Sequence, residues 1–230
     1  MGTPSDPAET KRFVWLDCLY RWERTFPNTH EVWSVVAKAY TAPGRHYHDL
    51  EHIRACLQER SAAHGLLENS IAVITAIWFH DIVYDATRSD NEAASADLAE
   101  KLLREMGRGA GIDEAETTSF IATVRGLIMD TRHAATPASL DGQYLVDIDL
   151  AILGQAAERF DAYEQAIRLE YAHVPEEAFR AGRAGVLRKF LERPAIYHTE
   201  LFRQKYEAAA RGNIARSIAA LTGAAADEVR

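Results

Sequence analysis

Apolar residues recur at intervals of three and four along almost the whole chain of 230 residues. Strict alternation of apolar and polar residues, which is typical of half-buried strands, is nearly absent. Intervals of three and four put the apolar side chains on one face of successive helices. The sequence therefore predicts an all-α fold. Because no repeat, low-complexity linker or shift of composition divides the chain, we expect a single helical domain over residues 1–230.

Helix boundaries are predicted from caps and chain breaks. A helix is expected to end near Tyr40, because Pro43 and Gly44 interrupt the chain just beyond it. The next helix is expected from about Tyr47 to His64. A later helix is expected to end near residue 107, where a glycine follows the last periodic position. Three further amphipathic helices are predicted beyond residue 155, two of them ending near prolines.

The segment IAVITAIWFHD, residues 71–81, is apolar on every face up to its last two residues. A helix of this kind is expected in the middle of a structure, and Asn69 can cap its start. The segment therefore carries His80 and Asp81 toward the interior.

A carboxylate in a protein interior is almost never left without a partner. For Asp81 that partner would be a cation, an ordered water network, or the guanidinium group of Arg45 or Arg125. A cation would indicate a functional site, whereas an arginine would indicate a structural ion pair.

Three further histidines lie upstream in PGRHYHDLEHI, residues 43–53. His48 and His52 are four positions apart, so on one helix their imidazoles would point in the same direction. Taken alone, such a pair is more typical of a solvated helix face than of a site. The buried His-Asp pair downstream makes a shared site the better interpretation.

A second carboxylate comes from QYLVDIDLAILG, residues 143–154, which is compatible with a short strand or with a buried helix. On a helix, residues two apart point to different sides, so only one of Asp147 and Asp149 can face the centre. We favour Asp149, which lies beside the more continuous apolar stretch, and keep Asp147 as the alternative ligand. A helix cap is the structural alternative for Asp149.

These segments together supply two imidazoles and two carboxylates, from His52, His80, Asp81 and Asp149. Mixed nitrogen and oxygen ligands suit Mn, Fe, Co, Ni or Zn, and suit Mg less well. A divalent metal in such a site activates water and polarises a phosphoryl oxygen. The ligand set therefore predicts metal-dependent hydrolysis.

The overall charge limits the classes of partner. The formal net charge is −8, whereas binding to nucleic-acid polymers or anionic membranes needs a broad positive surface. The two cysteines, Cys18 and Cys56, form no zinc motif and are expected in the core. The N-terminal residues do not have the pattern of a secretory signal. We therefore expect a cytoplasmic protein that acts on a small molecule.

The order of these motifs resembles the HD-domain superfamily of metal-dependent phosphohydrolases. The resemblance covers about residues 45–154, with the helices of residues 155–230 expected to pack on this core. It implies an HD-domain-like helical bundle with one or two divalent ions, held by His52, His80, Asp81 and Asp149. The resemblance also implies that Asp81 is the carboxylate able to bridge two metal ions.

Two finer resemblances assign further roles, and a third concerns the motifs in combination. YHDLEHI is similar to a signature of cyclic-nucleotide phosphodiesterases, which implies that His48 is the general acid. HDIVYDAT is similar to a motif of (p)ppGpp hydrolases, which implies that Asp85 positions water. The combination YHDLEHI, FHDIVYD, DNEAASA and DIDLAILG resembles a bacterial group of predicted phosphohydrolases of this superfamily. The first three of these segments are specific in combination, and each alone is a weak signal.

Three more residues are predicted to contact the substrate: Arg45, Glu92 and Arg183. Glu92 and Ser95 lie three apart at a helix start, so they either reach one pocket or form a cap. Arg183 belongs to a run of basic residues that could bind phosphate or form a solvated helix face.

The expected activity is hydrolysis of a phosphoester in a nucleotide or another small phosphorylated metabolite. Metal-activated water would be the nucleophile, and Asp81 would help to orient it. One alternative is a module that binds a nucleotide without turnover, and another is a di-iron oxygenase on the same fold. The apolar residues of NIARSIAALTG, residues 213–223, also suggest a possible homodimer.

Overall fold

The structure is a computed structural model in which residues 7–223 are described, with side chains from residue 9. Within these residues the chain forms ten α-helices and two short 3-10 helices and contains no strand, which confirms the all-α prediction. The helices are α1 (Pro7–Thr25), α2 (His30–Tyr40), α3 (Leu50–Ala62), α4 (Ser70–Phe79), α5 (Asn91–Ala110), α6 (Glu114–Asp130), α7 (Leu140–Asp149), α8 (Ala157–Glu170), α9 (Glu176–Leu191) and α10 (Glu200–Thr222). The 3-10 helices are His64–Leu66 and Leu150–Gly154.

The helices group into two compact units, of which the first ends at Leu145 and the second begins at Val146. The boundary lies inside α7. The expected single domain over residues 1–230 stays a prediction.

Helix α4 is the centre of the first unit, as its sequence predicts. Asn69 accepts a hydrogen bond from the backbone N–H of Ala72 and so caps the helix. Seven of its ten residues are buried, and the helix packs against α3, α5 and α6. Trp78 makes edge-to-face contacts with Trp22 and Trp33, with ring centroids 5.4 and 6.0 Å apart. This apolar core fixes the end of α4, where His80 and Asp81 follow.

Two predicted boundaries are wrong, each for a local reason. Helix α3 begins at Leu50 rather than at Tyr47, because Asp49 accepts hydrogen bonds from the backbone N–H groups of the first turn. Helix α5 continues past Gly107 and ends before Gly111, which has a φ of 69°. Gly107 instead permits close packing, because a Cβ there would lie 2.8 Å from Thr117 Oγ1 of α6.

In the second unit, the 3-10 helix Leu150–Gly154 packs against α8 and α10. The segment before it is helical, so the strand alternative for residues 143–154 is wrong. Asn213 of α10 donates hydrogen bonds to the carbonyls of Leu153 and Gln155. Ile214 and Ile218 are buried within the chain itself. The apolar residues of α10 that suggested a homodimer are therefore largely used in its own core.

None of the helices in the described part of the chain is both long enough and apolar enough to span a bilayer.

Candidate metal centre

Three of the predicted ligands converge in the first unit. His52 Nε2 lies 3.1 Å from His80 Nε2, and the Oδ2 atom of Asp81 lies 3.2 Å from His80 Nε2. The same Oδ2 atom lies 3.7 Å from His52 Nε2. The histidine side chains are 2% exposed and the aspartate is 15% exposed. The three atoms form a small triangle that is almost closed to solvent.

Each ligand is placed by a helix end. His52 lies in the first turn of α3, where Asp49 fixes the start of the helix. His80 is the residue directly after α4, and its backbone N–H still donates to Ala76. Asp81 follows, so the His-Asp pair lies where the buried helix stops and its backbone can turn. The apolar residues of α4 thus hold polar groups in the interior.

The ring orientation of His80 is fixed by the backbone. Its Nδ1 atom lies 2.9 Å from the carbonyl oxygen of Ile77. A carbonyl can only accept a hydrogen bond, so Nδ1 carries the proton and Nε2 of the neutral ring presents a lone pair. This lone pair faces His52 and the carboxylate of Asp81. A hydrogen bond from the second nitrogen to a carbonyl is the usual support of a metal-binding histidine.

The electrostatics of the triangle favour an ionised aspartate. Burial alone would raise the pKa of Asp81, but the imidazoles of His80, His48 and His52 lower it by more, so the net pKa is well below the usual range. The carboxylate of Asp81, Nε2 of His80 and Nε2 of His52 thus lie together in one small buried group. A group of this composition is suited to binding a cation.

The spacing fits a divalent transition metal. Bonds of about 2.0–2.2 Å to nitrogen and oxygen put neighbouring ligand atoms about 3.0 Å apart at right angles and about 3.4 Å apart in a tetrahedron. The observed separations of 3.1, 3.2 and 3.7 Å are close to these values. His52, His80 and Asp81 therefore form a group able to hold a metal ion.

The structural alternative, in which an arginine neutralises Asp81, is not observed. Arg125 pairs with Asp97 and Glu100 instead. Arg45 donates to the backbone carbonyl of Asp81 and leaves its carboxylate to the histidines.

Arg45 connects the two segments that carry the candidate ligands. Its guanidinium donates to the carbonyls of His48 at 2.8 Å, Asp81 at 2.7 Å and Ile82 at 2.9 Å. It also lies over the ring of Tyr40, 4.9 Å from the centroid. These contacts give Arg45 a role in holding the segment before α3 against the segment after α4. Its predicted contact with substrate stays a prediction.

Replacing Arg45 with alanine is expected to lower the free energy of unfolding by about 2–4 kcal/mol, because three carbonyls lose a charged donor. Arg45→Lys should recover little, since an ammonium group cannot reproduce the planar fork. Urea denaturation measures both. Arg88→Ala, which removes an exposed pair with Asp90, is the control and should leave the stability almost unchanged. Unchanged stability with a raised KM would instead favour substrate contact by Arg45.

His48 is not on the helix of His52, so the prediction of one shared helix face is wrong. It lies two residues before α3, and its ring centroid is 5.9 Å from that of His52. Its ring stacks on Tyr84 at 4.1 Å, with an interplanar angle of 26°. The two histidines are still close, because the Asp49 cap turns the chain beside the first turn of α3. The role of general acid for His48 stays a prediction.

Side chains of α5 hold the loop that follows Asp81. Ser95 accepts from the backbone N–H of Val83 and donates to its carbonyl, both at 3.1 Å. Asn91 makes the corresponding pair of hydrogen bonds with the backbone of Asp85. The hydroxyl of Ser95 thus bonds to the backbone of Val83, and it does not cap the start of α5. The segment DNEAASA instead fixes the backbone next to the candidate ligands.

Asp85 is exposed, and its Oδ1 atom accepts from the N–H and the hydroxyl of Thr87. Glu92 is half-buried in the first turn of α5. The structure therefore places Asp85 in a turn and Glu92 at a helix start. The predicted roles of Asp85 toward water and of Glu92 toward substrate stay predictions.

Asp147 and Asp149 both belong to the second unit. Asp147 is fully buried and accepts hydrogen bonds at 2.7 Å from the N–H of His198 and from the N–H and hydroxyl of Thr199. Burial raises the pKa of Asp147, and these hydrogen bonds lower it in part. Its carboxylate therefore anchors the start of α10. This structural role removes Asp147 as the alternative ligand and leaves Asp149 as the predicted one.

Arg183 is also in the second unit. Its side chain is 12% exposed and pairs with Glu164, and it donates to the Tyr163 hydroxyl at 2.8 Å. Attraction to Tyr163 and Glu164 raises its pKa despite the cost of burial. Arg183 is thus not on a solvated face, and its charge is paired with the carboxylate of Glu164. Its predicted contact with substrate stays a prediction.

Cys56 is a further residue beside the candidate ligands, although its sequence context predicts only a position in the core. It is buried, and its Sγ atom lies 3.8 Å from both ring nitrogens of His52. The signal was its position four residues after His52, on the same face of α3. A thiol beside a ligand imidazole packs the ring and offers a further soft donor.

Comparison of the chain with protein-family models, with curated proteins and with solved structures gives no match.

Proposed function

We propose that this protein is a metal-dependent phosphohydrolase with an HD-domain-like helical fold, acting in the cytoplasm on a nucleotide or another small phosphorylated metabolite. The observation that carries the proposal is the buried triangle of His52, His80 and Asp81, whose three donor atoms lie within 3.7 Å of one another. Asp149 is proposed as the fourth ligand on the sequence resemblance. One or two divalent ions, Mn, Fe, Co, Ni, Zn or Mg, would be held.

The donor set is compatible with metal-dependent hydrolysis, the activity that the sequence resemblance implies. Two imidazoles and one carboxylate bind a divalent ion and leave positions for water and substrate. When bound, such an ion acts as a Lewis acid toward a phosphoryl oxygen and lowers the pKa of water. A phosphoester is one substrate class that uses both effects, and it is the class that the sequence resemblance implies. The net charge of −8 favours a small substrate over a nucleic-acid polymer.

The roles of the chain's own residues follow from their places. His48, two residues before α3 and next to His52, would donate a proton to the leaving oxygen. Asp81, whose carboxylate is the most exposed of the three donors, would accept a hydrogen bond from water and orient it. Arg45 would keep these groups in place by holding the backbone of His48, Asp81 and Ile82, and Ser95 by holding that of Val83.

The first test is turnover of a generic phosphodiester, a phosphomonoester and a panel of nucleotides by protein purified without added metal. We expect turnover that chelation removes and that one of the metals above restores. His48→Gln should lower kcat by about 100-fold, because general acid catalysis contributes at least this factor, and should leave the metal content unchanged.

Other results would separate the alternatives. Stoichiometric metal with nucleotide binding but no turnover on the whole panel would indicate a binding module. Bound iron with substrate-dependent consumption of oxygen would indicate an oxygenase. The di-iron alternative needs additional histidine ligands, and in the described residues the group at this site supplies two.

A further inference from the structure

A cavity of about 280 Å³ lies apart from the candidate metal centre, between α1, α3 and α4 of the first unit. Its volume is just below the range of about 300–1,000 Å³ that is usual for small-ligand sites. Three arginines line it: Arg21 and Arg24 of α1, and Arg60 of α3. None of the proposed metal ligands or catalytic residues is among its lining residues.

The charge of this cavity is opposite to that of the whole chain. Within the described residues, Asp17 is the single carboxylate among the lining residues. Three arginines and one aspartate give a local formal charge of +2, whereas the chain carries −8. The cavity is therefore a local positive site on an acidic protein, and a cleft lined mainly by one sign of charge attracts ions of the opposite sign.

The arginines are only partly neutralised. Arg21 pairs with Asp17 at 2.8 Å. Arg24 donates to the hydroxyl of Tyr20 at 3.0 Å, which carries no charge. Arg60 donates to the hydroxyl of Ser70, and its buried Nε has no hydrogen-bond partner. Two of the three guanidinium groups thus have hydroxyl partners and no carboxylate.

Arg60 is the informative residue, because a half-buried charge without a counter-charge costs free energy. Burial lowers its pKa, and no carboxylate acts against this shift. Its position in the last turn of α3 gives some compensation from the helix dipole. A bound anion would supply the missing charge directly.

We propose that this cavity binds a phosphate group of a small metabolite, held by Arg21, Arg24 and Arg60. Phosphate is favoured over a single carboxylate because its charge of about −1.5 to −2 at neutral pH matches the local +2. Guanidinium groups also bind phosphate oxygens in pairs. The site is separate from the proposed hydrolytic centre and does not depend on a metal.

The test is calorimetric titration of the full chain with inorganic phosphate and with pyrophosphate, in the presence of EDTA so that a metal cannot contribute. We expect saturable binding of both anions, and acetate should bind at least about tenfold more weakly. Arg60→Gln and Arg21→Gln should each weaken binding by about tenfold, which is the value of one charge-assisted hydrogen bond.

The matched control is Arg125→Gln, which removes the same charge from a surface pair with Asp97 and Glu100 on α5 and should change the affinity by less than about twofold. Arg24→Gln is an exposed change that keeps the test valid if Arg60→Gln does not fold, and it should weaken binding severalfold. Absence of phosphate binding by the native chain would overturn the proposal. Equal affinity in Arg21→Gln, Arg24→Gln and Arg125→Gln would also overturn it.

Discussion

Replacing Asp81 with alanine is expected to abolish stoichiometric metal binding and turnover together. The carboxylate is the only negatively charged donor in the triangle with His52 and His80, and its loss leaves two neutral imidazoles with a metal affinity lower by at least about 100-fold. Elemental analysis of the purified variant beside the native protein measures the metal directly. Circular dichroism should show that the helical content is kept.

The control for this change is Asp97→Ala, which removes an aspartate of α5 that is 72% exposed. It should retain both metal and activity. Asp149→Ala tests the fourth ligand, which is predicted from sequence alone, and should weaken metal binding by about tenfold or more. If neither the native protein nor Asp81→Ala takes up metal even after loading, the triangle is a buried polar network and the hydrolase proposal fails.

Local signals were sufficient for the centre of the first unit. Asn69 and the apolar residues after it predict a capped, fully buried helix, and the structure confirms α4 with that cap. Because such a helix has no polar face, the burial of the His-Asp pair at its end also follows from sequence. The convergence of His80 with His52 could be expected only as a hypothesis, since it depends on how α3 packs against α4.

The shared helix face of His48 and His52 was wrong because of one competing local interaction. Residues 47–49 have a spacing compatible with a helix, but Asp49 accepts hydrogen bonds from the backbone N–H groups of Glu51 and His52. An aspartate favours this cap over an internal helical position. The signal for this boundary is therefore present in the sequence, at Asp49.

The contacts of Arg183 and Asp147 could not be predicted from the sequence, because both residues interact with groups far away along the chain. Arg183 stands in a basic run that is typical of a solvated face, but it pairs with Glu164, which is 19 positions away and on another helix. Asp147 likewise bonds to His198 and Thr199, more than 50 positions away. Hydrophobic periodicity indicates on which face of its helix a residue lies. It does not indicate which polar group of another helix will contact that residue in the folded chain.

The second large effect is expected at Asp147. Replacing it with alanine should lower the free energy of unfolding by about 3–5 kcal/mol, because the backbone N–H groups of His198 and Thr199 would lose their acceptor in a buried site. Asp147→Asn keeps one acceptor oxygen but turns an amide N–H toward a donor, so an intermediate loss is expected. Urea denaturation followed by far-ultraviolet circular dichroism measures both variants.

Asp161→Ala is the matched control in the same unit. Its carboxylate is 47% exposed and pairs with Arg216 on the surface, so a loss below about 1 kcal/mol is expected. At temperatures where Asp147→Asn remains folded, Asp147→Asn should bind as much metal as the native protein. Loss of metal with normal stability in Asp147→Asn would reverse the assignment and make Asp147 the fourth ligand. Loss of stability with metal retained would show that two acidic residues two positions apart serve the fold and the site separately.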